Sequence, residues 1–269
     1  MSDMPQVTCL CPTYGRFQRL CEALACFLAQ DYPDKHLIIL NDAPERIVLP
    51  GAGTGNLFAD LHCEAAGVQA RPDGVVVVSG APSFETLGHK RQALLEIAQT
   101  SLVAHWDDDD LYLPWHLSEA VAAIQEGSLD CTKVRSAWLM EDERIVGTHD
   151  QGNDGSMVFR RQAALDLGGY RLSQTGQSIG LLHRFEKEGR YAPFGDNGLR
   201  SVAVRRAPGH NLEARTPKAF RAANTDFGDG RPLTPADLRP LWQAVTNGTR
   251  RLLPSDAHAE LQRRLADAP

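Results

Sequence analysis

Apolar positions follow two alternating periods along the first 110 residues. Val7 to Cys11 is a short apolar run that predicts a buried strand, cut off by Pro12. Phe17, Leu20, Cys21, Leu24, Phe27 and Leu28 then fall at helical spacing and form one stripe. Asp31-Tyr32-Pro33 closes that helix, because proline disfavours a helical residue before it. Leu37 to Leu40 predicts a second strand ending in Asn41-Asp42, and the Gly-, Pro- and Ala-rich stretch from Pro44 to Gly74 carries no clear period. Val75 to Val78 is a β-branched strand, and Leu87, Leu94, Leu95 and Ala98 mark another amphipathic helix. Leu102 to Trp106 runs straight into four aspartates. This rhythm predicts a parallel sheet wound with crossover helices.

The second half has a different texture. Pro114, followed by Leu117, Ala120, Val121 and Ile124, predicts a helix with proline in its first turn. Strands are expected at Lys133–Leu139, Arg144–Thr148 and Met157–Phe159, and helices over about Arg161–Leu167 and Ile179–Lys187. From Arg215 the chain is polar, broken by Gly228, Gly230, Pro232 and Pro235, with a charged helical tail from about Pro235 to Leu265. The pattern reads as one α/β domain, with nucleotide-type architecture first and partner-specific elements afterwards.

Composition narrows this picture without redirecting it. The 269 residues are 42% hydrophobic and 23% charged, which excludes a disordered, collagenous or disulfide-scaffold chain. No apolar run reaches the roughly 18 residues of a membrane span, and Met1-Ser2-Asp3-Met4 lacks the regions of a secretory leader. A net charge of −6 argues against nucleic acid as a general partner. Cys9, Cys11, Cys21, Cys26, Cys63 and Cys131 form no C-x-x-C pair, so they are expected to be buried thiols in a reducing, cytoplasmic setting.

The chemistry concentrates at predicted strand ends. Asp107, Asp108, Asp109 and Asp110 follow the Leu102–Trp106 strand, and ligands bind at the carboxyl edge of open α/β sheets. Adjacent carboxylates repel by about 4 kcal/mol per pair at 4 Å and an effective dielectric near 20. A divalent cation relieves that repulsion, and oxygen-only ligands favour Mg²⁺ or Mn²⁺. Thr13-Tyr14 and Asp42 end two other strands at the same predicted rim, which points to a small-molecule site. Gly88-His89-Lys90-Arg91 adds positive charge near a helix start, suiting either a bound phosphate or an exposed basic turn.

Val7–Arg16 (VTCLCPTYGR), Gln30–Pro33, Leu37–Asp42 (LIILND), Gly88–Arg91 and Trp106–Pro114 (WDDDDLYLP) together resemble the inverting family-2 glycosyltransferases of the GT-A fold. The likeness covers about residues 7–120 in order and spacing, and continues more weakly through Gly155–Phe159, Gly168-Gly169-Tyr170 and Arg184–Tyr191. It implies a Rossmann-like, mostly parallel sheet flanked by helices. The GT-A domain would span 1–214, with a donor half to about 113 and an acceptor half from about 114, followed by a partly helical extension over 215–269. It further implies that Pro12, Thr13 and Tyr14 line the nucleoside pocket, with Tyr14 stacking on the base and Asp42 accepting from it, commonly from uracil. Arg91 would lie near base and diphosphate, and Asp108 nearest the ribose. Asp109 would be the principal ligand of Mn²⁺ or Mg²⁺, with Asp107 beside it and His210, in Pro208–Leu212, as a further ligand.

One departure stands out. The family carries Glu-Asp just before the helix matching Arg184–Tyr191, and its Asp deprotonates the acceptor; here those places hold Gln177 and Ser178, and neither is a carboxylate base. Asp150 and Asp154, flanking the turn before Gly155–Phe159, are the candidates in its place. The resemblance therefore implies a metal-dependent transferase moving a sugar, from a UDP-sugar, to an acceptor hydroxyl with inversion. A retaining GT-A transferase and a silent nucleotide-sugar-binding protein stand as alternatives. A sugar nucleotidyltransferase is disfavoured, since Pro12-Thr13-Tyr14-Gly15 is no glycine-rich phosphate loop.

Overall fold

The computed structural model describes residues 4–43, 68–70, 74–79, 84–141, 144–149, 153–195, 201–206 and 224–225. Their main sheet is built on β1 (Val7–Thr13), β2 (Lys35–Asn41), β3 (Val68–Ala70), β4 (Val75–Ser79) and β5 (Leu102–His105). It adds β7 (Cys131–Thr132) and β10 (Val158–Arg160), in the order β3-β4-β2-β1-β5-β10-β7. β4, β2, β1 and β5 run parallel, while β3 and β10 are antiparallel to their neighbours.

Period-two alternation buries both faces of this sheet. Cys9, Cys11, Leu37, Ile39 and Ala104 face Leu20, Ala23, Leu24 and Phe27 of α1 (Phe17–Leu28) and Leu117, Val121 and Ile124 of α3 (His116–Gly127). Leu10, Leu40, Val103 and Phe159 face α2 (Leu87–Ile97), α4 (Arg161–Asp166) and α5 (Gln177–Lys187). Burying one such Phe or Leu side chain contributes about 1.5–3 kcal/mol. Cys9, Cys11 and Cys131 are free, buried thiols, pushed up by that burial, and Cys26 is buried as well. Cys63 lies outside the described residues, as does the Cys21 side chain.

A second sheet joins β6 (Leu111–Tyr112), β8 (Ala137–Glu141), β9 (Arg144–His149), β11 (Val202–Arg206) and β12 (Asn224–Thr225) in the order β12-β9-β8-β11-β6. Apart from Asn224–Thr225, paired to β9, the expected 215–269 extension lies outside the described residues. Among the described residues no helix is long and apolar enough to cross a membrane.

Three sequence expectations are corrected. Pro12 does not end β1, which continues through Thr13 against β2. Residues of a parallel strand direct N–H and C=O to the same neighbour, so Pro12 faces the β5 side, where pairing has ended at Leu10–His105 and no donor is missed. The single strand expected over Lys133–Leu139 is interrupted: the Val134 N–H donates to Ser156 Oγ and the Arg135 N–H to the Phe194 carbonyl, carrying the chain from one sheet to the other. Finally, α5 begins at Gln177 rather than Ile179, its polar first residues being buried.

Candidate functional site

The carboxyl ends of β1, β2 and β5 converge as their parallel registers require. β5 leads into Trp106, fully buried, whose indole stacks on Tyr112 and donates to the Ala23 carbonyl at 2.9 Å. With that anchor fixed, the acidic run alternates. Asp108 and Asp110 are buried, whereas the Asp107 and Asp109 side chains are 21% and 39% exposed. The Tyr112 hydroxyl accepts from the Asp107 N–H at 2.8 Å and donates to the Gly155 carbonyl at 2.9 Å. The 3-10 turn Asp154–Ser156 is thereby tied to the start of the run.

Each carboxylate has an N–H or O–H donor against it. Arg91 Nη2 donates to Asp107 Oδ1 at 2.6 Å. Arg16 grips Asp108 with Nε at 3.1 Å and with Nη2, and reaches Asp109 Oδ2 with Nη1 at 2.6 Å. Thr13 Oγ1 donates to Asp108 Oδ2 at 2.5 Å, and Asn153 Nδ2 to Asp110 Oδ2 at 2.6 Å. Burial pushes Asp108 up to about 6 against the pull of Arg16. Burial opposes the charge of both Arg16 and Arg91, yet the aspartates beside them hold both above the usual arginine value. The repulsion expected within the run is therefore relieved here by two guanidinium groups.

Asp42, at the end of β2, is similarly engaged. Its Oδ1 pairs with Lys90 Nζ, and its Oδ2 accepts the Phe84 N–H at 3.1 Å. Lys90 Nζ also donates to the Thr13 carbonyl at 3.0 Å and stands 5.8 Å from the centre of the Tyr14 ring. Tyr14 itself is 59% exposed, an open aromatic face beside a buried ion pair. One reading of the Gly88–Arg91 turn needs correction. Lys90 and Arg91 are buried, not an exposed basic turn, and the first N–H groups of α2 have partners within the protein. Leu87 N–H donates to Gln174 Oε1, Gly88 N–H to the Ser173 carbonyl and His89 N–H to Thr86 Oγ1. Only glycine fits at 88, since a Cβ there would lie 2.0 Å from the Arg171 carbonyl oxygen.

The Asn153–Ser156 turn packs directly on the acidic run. A Cβ at Gly155 would lie 2.6 Å from Asp107 Oδ2 and 3.1 Å from Asp110 Oδ2, so the missing side chain makes room for two carboxylates. Asp154 Oδ1 accepts from Lys133 Nζ at 3.0 Å, and the Asp154 carbonyl lies 2.6 Å from His105 Nδ1. His105 is fully buried, and burial, then Arg91, pushes it down to about 3; its Nε2 meets the Tyr170 hydroxyl. Gln177 and Ser178, at the expected place of the base, are buried in the first turn of α5. Asp150 and His210 lie outside the described residues.

Asp107 and Asp109 are hard oxygen donors whose side chains are 21% and 39% exposed, so these residues fit a divalent cation chemically. Among the described residues no three His, Cys, Asp or Glu side chains converge as a ligand shell. Arg16 and Arg91 hold the two exposed carboxylates instead. Sequence reasoning missed Arg16, Asn153 and Gly155. Arg16 carried one signal, a cation three residues past the end of β1 on the rim shared with the aspartates.

No protein-family profile matches the sequence, and no curated protein matches it. Solved structures do. A fragment of S. aureus TarS in complex with UDP-GlcNAc aligns over 98% of this chain and 73% of its own, at 12% identity and a TM-score of 0.56. The mannosyltransferase PcManGT from Pyrobaculum calidifontis, in complex with GDP-Man and Mn²⁺, aligns over 100% of this chain and 77% of its own, at 17% identity and a TM-score of 0.54. The chain has the GT-A fold. At these identities the likeness carries the GT-A architecture, and the chemistry has to be argued from the rim itself.

Proposed function

We propose that this GT-A chain is a divalent-cation-dependent glycosyltransferase that moves a sugar from a nucleotide-diphosphate donor, a UDP-sugar, to an acceptor hydroxyl. One observation carries the reading: an open aromatic ring, a carboxylate–ammonium pair and an acidic run share one sheet edge. A base stacks on Tyr14. Asp42, pinned by Lys90 and the Phe84 N–H, accepts an imide proton of the kind uracil carries. Arg91 and Asp108 line the way to the ribose and diphosphate, with Pro12 and Thr13 forming the floor. The UDP-GlcNAc bound by one neighbour and the GDP-Man and Mn²⁺ bound by the other support this donor class.

Asp109 and Asp107 would hold Mn²⁺ or Mg²⁺, with His210 as a further candidate ligand. Such an ion supplies charge neutralisation at the departing diphosphate. Asp154 is our choice for the acceptor base, with Asp150 as the second candidate. Asp154 precedes the glycine that abuts Asp107, and its Oδ1 accepts from Lys133 Nζ at 3.0 Å. We infer inversion from that choice, and a reducing, cytoplasmic setting from the free thiols.

A second reading, a nucleotide-sugar binder without turnover, is favoured by the burial of Gln177 and Ser178 where a base is expected. Release of UDP from UDP-sugars, followed with and without chelator, separates the two. The transferase reading expects cation-dependent release that rises when an acceptor is present. Tight UDP binding with no release for any UDP-sugar supports the binder.

A further inference from the structure

We propose that Arg16 and the divalent cation compete for Asp109, so that Arg16 sets how tightly the cation is held. The inference rests on the reading of Asp109 as a cation ligand. Arg16 follows Gly15 and stands at the N-cap of α1, where its side chain makes no capping bond; its guanidinium is spent instead on the aspartates. The fork is divided: Nε and Nη2 hold Asp108, and Nη1 holds Asp109 Oδ2 at 2.6 Å.

A cation bound to Asp109 sits about 2.0–2.6 Å from a carboxylate oxygen. On Oδ2 that is the space taken by Nη1, and the guanidinium cannot yield by losing its proton, because arginine stays charged in proteins. Two positive centres on one carboxylate repel, so each weakens the hold of the other. Asp108 is 1% exposed and fixed by Thr13, whereas the Arg16 side chain is 49% exposed. Arg16 is therefore the part free to move outward. Thr13 Oγ1 remains on Asp108 when it does, so the buried carboxylate keeps a donor. The arrangement makes empty Asp109 unnecessary: the fold supplies a built-in cation that holds the run together until the diffusible one replaces it.

The test is a Mn²⁺ titration of chelator-stripped full-length protein, following the electron paramagnetic resonance signal of free Mn²⁺, with and without UDP. Arg16→Gln is expected to bind Mn²⁺ at least about tenfold more tightly than wild type, the loss of one charged hydrogen bond from the competing side. Arg19→Gln removes a second cation of α1, one paired with Glu22, and should stay within about twofold of wild type, as expected for a partly exposed pair. If Arg16→Gln does not fold, Arg16→Lys, which keeps the charge but cannot span both aspartates, should shift the same way by less. Equal or weaker Mn²⁺ binding in the Arg16 variants overturns the competition and leaves the cation reading standing. An equal gain in Arg19→Gln also overturns it, since general charge would then be the cause. No Mn²⁺ binding by any variant, even with UDP, overturns both.

Discussion

On the side proposed to bind the donor, β1, β2 and β5 deliver Thr13, Asp42 and Asp107–Asp110 to one rim, and each carboxylate there is matched by a side-chain cation, amide or backbone donor. On the side proposed to meet the acceptor, the segment from Asn153 to Ser178 is a 3-10 turn, a short strand, a six-residue helix and the start of α5, and it carries Asp154, paired with Lys133. The first region is positioned by sheet register, which tolerates little change. The second is positioned by a few hydrogen bonds around Tyr112, His105 and Asn153. On the proposed reading, donor binding sits on the rigid element and acceptor chemistry on turns.

The largest expected effect breaks the two sides apart. Asp154→Asn should lower turnover about 10²–10⁴-fold, the usual worth of a general base, while donor affinity stays near wild type. Stopped-flow UDP release together with calorimetric UDP binding checks this, and unchanged turnover would pass the role to Asp150 or to no base at all. Next comes Asp109→Ala, expected to weaken Mn²⁺-dependent UDP binding about a hundredfold, at least as much as the 10–100-fold loss from removing an outer-shell partner. Calorimetry in Mn²⁺ and in chelator measures it. If wild type binds UDP equally in both, the cation has no part in donor binding.

A smaller effect probes the packing beneath the rim. His116 is fully buried between Trp106, Tyr112 and Phe194 with Nδ1 on Ser201 Oγ, and burial pushes it down to about 3. Its folded value lies below the unfolded 6.5, so its stabilisation is fully present above pH 6.5 and is lost as pH falls toward 3. Each such histidine contributes a slope of about 1.4 kcal/mol per pH unit in that window, and His105 adds a second. Denaturant melts at pH 7.5, 6 and 5 should show falling stability, with a shallower fall in His116→Gln. Identical slopes in both proteins would remove His116 from the account.

How much was legible follows the same division. Strand ends were readable because short apolar runs stop at polar residues, and parallel topology then fixes which ends meet. Asp42 and the Asp107–Asp110 run needed nothing more. Lys90 and Arg91 were visible as a basic turn, but they are buried with Asp42 and Asp107 as partners, 48 and 16 residues away, and nothing local marks such pairings. Arg16 was hidden because ion pairs across about 90 residues leave no local pattern. Gly155 looked like a turn former, and its closeness to Asp107 follows from the antiparallel entry of β10 beside β5, which periodicity does not encode.

The central claim is that the donor rim binds a uracil nucleotide together with a cation. Thermal melts with UDP, GDP, dTDP and CDP, each with and without Mn²⁺, test it most directly. At about a hundred times its dissociation constant a ligand adds about 2.7 kcal/mol. For a chain of this size that is about 5–10 °C in Tm. The account predicts the largest rise for UDP with Mn²⁺, a smaller one for CDP, and no difference between the two in Asp42→Ala. No rise for any nucleotide, in the presence or absence of Mn²⁺, would contradict it.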